Sequence, residues 1–121
     1  MKKVLVVDDN EMLGQLACDI LRTEGYHAVS ARSAAEALEA LENESFDILV
    51  TDSGMPGMTG LDLARAVRLK DPQFPIIVMT AYAPVDSEHV TLWLPKNYLF
   101  PGLVEKIHFC LSAAKARDLA H

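Results

Sequence analysis

A chain of 121 residues, 50% hydrophobic and 23% charged, can bury one ordinary globular core and reads as a single domain over 1–121. Its formal charge of −6, with Lys and Arg scattered rather than clustered, argues against a surface built for nucleic-acid phosphates. The apolar run from Val4 to Val7 meets Asp8 and Asp9 too soon to be a signal-peptide core, and no stretch reaches the length of a membrane span. The expectation is a cytoplasmic protein, with no membrane partner, that keeps Cys18 and Cys110 as reduced core thiols.

In chain order, residues 3–7 predict a buried strand that runs into Asp8-Asp9-Asn10, any of which can accept the free N–H groups of a helix start. That helix is expected to reach Glu24, with Met12, Leu13, Leu16, Ala17, Ile20 and Leu21 inward and Gly25 as its left-handed stop. Residues 26–31 predict a second strand. Ser33 then caps a helix that turns Ala34, Ala37, Leu38 and Leu41 inward, with Glu36 completing a capping box and the end near Asn43. Ile48-Leu49-Val50 is the core of a third strand, buried on both faces and ending on Asp52, because Gly54, Pro56, Gly57 and Gly60 cannot continue it. A third helix over 61–70 has Leu63, Ala64 and Val67 inward and Pro72 beyond it. Residues 75–80 and 91–95 predict two more strands, and 100–117 a closing helix with Leu103, Val104, Ile107 and Leu111 on one face.

Strands alternating with helices imply right-handed βαβ units and a parallel α/β sheet whose strand carboxyl ends share one edge, where ligands bind. Asp8 and Asp9 end the first strand, Asp52 the third and Thr80 the fourth, and Lys96 follows the fifth. Carboxylates, a hydroxyl and a lysine at one edge suit phosphoryl transfer to a carboxylate. Asp52 is the nucleophile in this reading, Asp8 and Asp9 hold Mg2+ against the arriving phosphate, and Thr80 and Lys96 take its remaining oxygens. Taken singly these residues mean less. An Asp-Asp pair at a helix start commonly serves as a cap, and only the joint placement points to chemistry.

The same residues carry a resemblance. Asp8-Asp9 after the first strand, Asp52-Ser53-Gly54-Met55-Pro56 with Gly60, Met79-Thr80-Ala81, and Lys96 together resemble a two-component response-regulator receiver domain over essentially the whole chain. The resemblance implies a flavodoxin-like, doubly wound five-stranded parallel sheet in the order 2-1-3-4-5. It also implies phosphorylation of Asp52 by a histidine kinase or histidine phosphotransfer protein, and a Mg2+ site made by Asp8, Asp9, Asp52 and Gly54. Thr80 and Trp93, three residues before Lys96, are the implied switch pair acting on a downstream protein partner.

Two departures stand beside the matches. The family usually follows the lysine with a cis-proline, whereas Asn97 follows Lys96 here and Pro95 precedes it; a cis bond before a non-proline residue costs about 2.5–4 kcal/mol, so a trans peptide is expected. Thr80 to Lys96 is also about six residues shorter than the family habit, more than one and a half helical turns. The family's fourth helix is therefore expected to be shortened or missing, with residues 83–89 supplying two turns at best. Of the rival readings, a flavin carrier conflicts with Asp8-Asp9-Asn10-Glu11, and an aspartyl-phosphate phosphatase lacks its second acid because Ser53 and Gly54 follow Asp52. The remaining alternative is a receiver-like interaction module that does not switch on phosphorylation.

Overall fold

The computed structural model describes residues 1–80, 88–96 and 99–120. Five strands form one parallel sheet: β1 (Lys3–Val7), β2 (His27–Ala31), β3 (Ile48–Asp52), β4 (Ile76–Thr80) and β5 (Leu92–Pro95), in the order β2-β1-β3-β4-β5. Four helices lie among the described residues: α1 (Glu11–Thr23), α2 (Ala34–Asn43), α3 (Gly60–Lys70) and α4 (Leu99–Ala120). Because successive strand residues point to opposite faces, the apolar runs feed two cores at once. Val4, Val6, Ile48, Val50, Ile77, Met79 and Leu94 pack with Ala17, Cys18, Leu21, Leu103, Ile107 and Cys110 from α1 and α4. Leu5, Val7, Leu49, Ile76 and Val78 pack with Ala34, Ala37, Leu63, Ala64 and Val67 from α2 and α3. Both cysteines are buried in the first of these cores, as their helical spacing implied.

Local chemistry sets the boundaries. Asn10 caps α1, its side chain accepting the Leu13 N–H at 3.2 Å, and Gly25 at φ 92° follows the helix in the left-handed conformation. Ser33 caps α2 by accepting the Glu36 N–H, while the Glu36 carboxylate lies 3.6 Å from Arg32 Nε. The full capping box occurs instead at α3. There the Asp62 N–H donates to the Thr59 hydroxyl, and the Thr59 N–H donates back to the Asp62 carboxylate, both at 3.2 Å.

The inward stripe of α1 keeps the expected Ala17 and Leu21 but is rotated from the expected one. Gly14, Ala17, Cys18 and Leu21 are buried, while Met12 is 78% and Leu16 42% exposed. Small residues at the same helical spacing form the seam against the sheet, so the larger side chains one step round the helix face outward. Of the short segment after β4, Glu88 and His89 form a turn; residues 83–87 of the expected fourth-helix region, and Asn97 with its peptide bond, lie outside the described residues. No helix among the described residues is long and apolar enough to cross a membrane.

Candidate functional site

The carboxyl edge of the sheet is where the sequence-predicted residues meet. Because Asn10 takes the capping role, Asp8 and Asp9 remain available to a ligand. The Asp8 N–H extends the β1 ladder to Ala31, and its Oδ1 accepts the Asn10 N–H at 2.9 Å, which fixes the carboxylate beside the sheet. Asp8 and Asp52 are buried and Asp9 is exposed, and each offers an oxygen within 4.8 Å of the others. Octahedral Mg2+ at about 2.1 Å from its ligands sets oxygens roughly 3–4.2 Å apart, so this acidic trio matches such an ion in its hard-oxygen chemistry and lies near enough to close on one with small side-chain shifts.

Asp52 is held from three sides. Lys96 Nζ lies 2.9 Å from its Oδ1, the Gly54 N–H donates to the same oxygen at 3.2 Å, and the Ser53 N–H ties the backbone to Met79 on β4. Behind it, the Gly60 N–H at the start of α3 donates to the Ser53 carbonyl, and a Cβ on Gly60 would stand 2.2 Å from the Asp52 carbonyl oxygen. Only glycine permits that approach. Gly60 was visible in the sequence as a strand breaker, but its contact with the Asp52 backbone was not. The Thr59-x-x-Asp62 pattern, which fastens the same turn, was the signal that could have pointed to it.

Burial, above all, raises the Asp8 pKa from its ordinary value, and the Asp52 and Asp9 charges add to it; the Asn10 N–H and the Lys96 ammonium act against it. For Lys96 the largest single influence is burial, which lowers its pKa. The hydrogen bond to Asp52 and the charges of Asp52, Asp8 and Asp9 together outweigh it, so the amine is held above its ordinary value and stays protonated.

Thr80 is buried at the end of β4, paired with Pro95 in the residue before Lys96. Trp93 stands opposite Val78, two residues before Thr80 on the same strand face, and is partly buried against the core on the α2 and α3 side. The edge thus brings Asp8, Asp9, Asp52, Gly54, Thr80 and Lys96 together, with Trp93 one step further down β5.

The family model described as the response regulator receiver domain matches residues 4–93. The response regulator receiver protein CpdR of Brucella abortus is 32% identical over 120 residues, which are 94% of this chain and 100% of CpdR. The response regulator protein FleR of Pseudomonas aeruginosa is 39% identical over 84 residues, 69% of this chain, and the chain spans 18% of FleR's length. Among solved structures, the response regulator TrrA from Thermotoga maritima in complex with Mg2+-BeF superposes with a TM-score of 0.84 at 32% identity, covering 91% of this chain and 99% of that one. TrrA in complex with the histidine kinase ThkA gives 0.83 at 33% identity, covering 92% and 99%.

Proposed function

The chain belongs to the response regulator receiver family, and from that premise we propose that it accepts a phosphoryl group on Asp52 from a phosphohistidine donor and thereby switches a partner-binding surface. The observation that carries the proposal is the convergence of Asp8, Asp9 and Asp52 within 4.8 Å, with Lys96 at 2.9 Å from the acceptor carboxylate.

In the reaction an Asp52 oxygen forms the new P–O bond while the donor's P–N bond breaks, and the departing imidazole keeps the electron pair. Asp8, Asp9 and Asp52, with the Gly54 backbone, would hold Mg2+, which when bound supplies positive charge to the phosphoryl oxygens and offsets the three carboxylates. Lys96 neutralises Asp52 before transfer and moves its ammonium to a phosphoryl oxygen afterwards. The Thr80 hydroxyl donates to another phosphoryl oxygen, and its displacement opens space that the Trp93 indole fills. That TrrA has been solved with Mg2+-BeF and with a histidine kinase supports both the metal and the donor class for this chain. The reading further assigns the protein to the cytoplasm, one domain over 1–121, with a downstream protein as its partner; the two buried thiols suit a reducing compartment.

The test joins a label to a spectrum. With a small-molecule phosphodonor and Mg2+, phosphate should appear on the wild type and not on Asp52→Asn, and Trp93 emission should shift in step. Thr80→Ala should keep the label and lose the shift. Equal label on Asp52→Asn would overturn the acceptor assignment. Full labelling with an unaltered spectrum would favour the module that does not switch.

A further inference from the structure

Thr91 precedes β5 and fastens it. Its N–H donates to the Ile76 carbonyl at 2.8 Å, and its hydroxyl oxygen accepts both the Ile76 N–H and Arg68 Nη2, each at 2.9 Å. The same guanidinium donates through Nη1 to the Phe74 carbonyl. One planar side chain from the last turn of α3 therefore grips the backbone entering β4 and the residue just before β5 together. The strand so fastened is short. It has four residues and lies at the sheet edge beside β4.

Leu94, buried in one core, and Trp93, packed on the other, favour one register, but four residues give the strand few such contacts, so a fastening at its start adds directly to the register. A slip of one residue would turn Trp93 to the other face, and a slip of two would carry Lys96 about 7 Å along the strand. Lys96 follows β5 directly, and its amine must stay 2.9 Å from Asp52. We propose that Arg68 and Thr91 are positioning residues that set the register of β5 and so hold Lys96 against the acceptor; the consequence for phosphorylation rests on the function proposed above. At its other end α3 begins with Gly60, bonded to Ser53 beside Asp52. One 11-residue helix thus ties the end of the acceptor strand to the start of the lysine strand.

Two readouts decide the matter. The first is acylation of the Lys96 amine, whose side chain is 36% exposed, measured by peptide mass spectrometry against the exposed Lys106. The second is the maximal phosphorylation rate with a small donor, alongside donor KM and Mg2+ affinity. Thr91→Val and Arg68→Ala should each speed Lys96 acylation several-fold relative to Lys106. Each should also slow maximal phosphorylation roughly tenfold or more, with donor KM and Mg2+ affinity unchanged, and Thr91→Ser should restore both readouts. Wild-type acylation of Lys96 in both variants would overturn the proposal, as would an equal loss of Mg2+ affinity, which would mark a general structural defect. If Thr91→Val fails to fold, Arg68→Ala decides by the same criteria. Acylation needs no phosphorylation, so a wild type that never accepts phosphate would refute the proposed function while the register is still judged by Lys96.

Discussion

Asp8 is buried beside two other carboxylates, and the fold raises its pKa above the ordinary 3.8. An acid with a raised folded-state pKa binds its proton more tightly in the native state. Its ionised form therefore opposes folding at neutral pH, and that opposition disappears as pH falls through the raised value to below about 3.8. Asp8→Asn keeps an oxygen for the Asn10 N–H and removes the charge. Without divalent ions it should be more stable than wild type to denaturant at pH 7, with the gain gone in acid; a less stable variant at pH 7 would contradict the electrostatic account. Added Mg2+ should stabilise wild type by mass action and Asp8→Asn much less. Gly54 raises a different question at the same scale. It is exposed two residues beyond Asp52 and offers no side chain to orient an attacking water. Loss of phosphate from Gly54→Asn should therefore be faster than from wild type, as followed by release of label, and faster loss from wild type would remove the argument.

At the scale of elements, α3 meets the end of the Asp52 strand through backbone contacts at Gly60. Gly60→Ala forces a methyl group against the Asp52 carbonyl, which is backbone and cannot rotate away, so a loss of about 1–3 kcal/mol is expected together with slower phosphorylation. Denaturation and labelling on the same sample check both. Asp62 adds a pH dependence of opposite sign to that of Asp8. Its cap contacts with Thr59, the backbone one foremost, hold its pKa below 3.8, so they stabilise α3 at neutral pH and fade as pH falls through that lowered value. Asp62→Ala should melt below wild type at pH 7 and converge with it in acid. The sequence made the strands and the bounds of α1, α2 and α3 legible to within a residue or so because unbroken apolar runs and cap residues are local signals, whereas α4 runs beyond the expected 100–117 at both ends. On the inward face of α1 the sequence was right for Ala17 and Leu21 but misled at Met12 and Leu16, whose expected places Gly14 and Cys18 take. Side-chain size is visible in a sequence, whereas the closeness of helix and sheet that favours small residues is a tertiary quantity. Ser33 and Glu36 misled similarly, because Arg32 competes for the Glu36 carboxylate.

Over the whole molecule, the grouping of the candidate residues was legible because a parallel sheet brings every strand's carboxyl end to one edge, where Asp8, Asp9, Asp52, Thr80 and Lys96 fall. What could not be grouped in advance was the supporting frame. Arg68, Phe74 and Thr91 are brought together by the packing of α3 across β4 and β5, and Gly60 meets Asp52 through a backbone approach that leaves no pattern of side chains. The central claim is that this frame presents one carboxylate, Asp52, for phosphorylation. Its most direct test is to treat the protein with a phosphodonor and Mg2+, reduce the acyl phosphate with borohydride, and sequence the peptides by mass spectrometry. Reduction converts a phosphorylated aspartate to homoserine, so the account predicts homoserine at position 52 alone, absent when EDTA replaces Mg2+. Homoserine at position 8 or 9, or an Asp52 left unreduced while label is incorporated elsewhere, would contradict it.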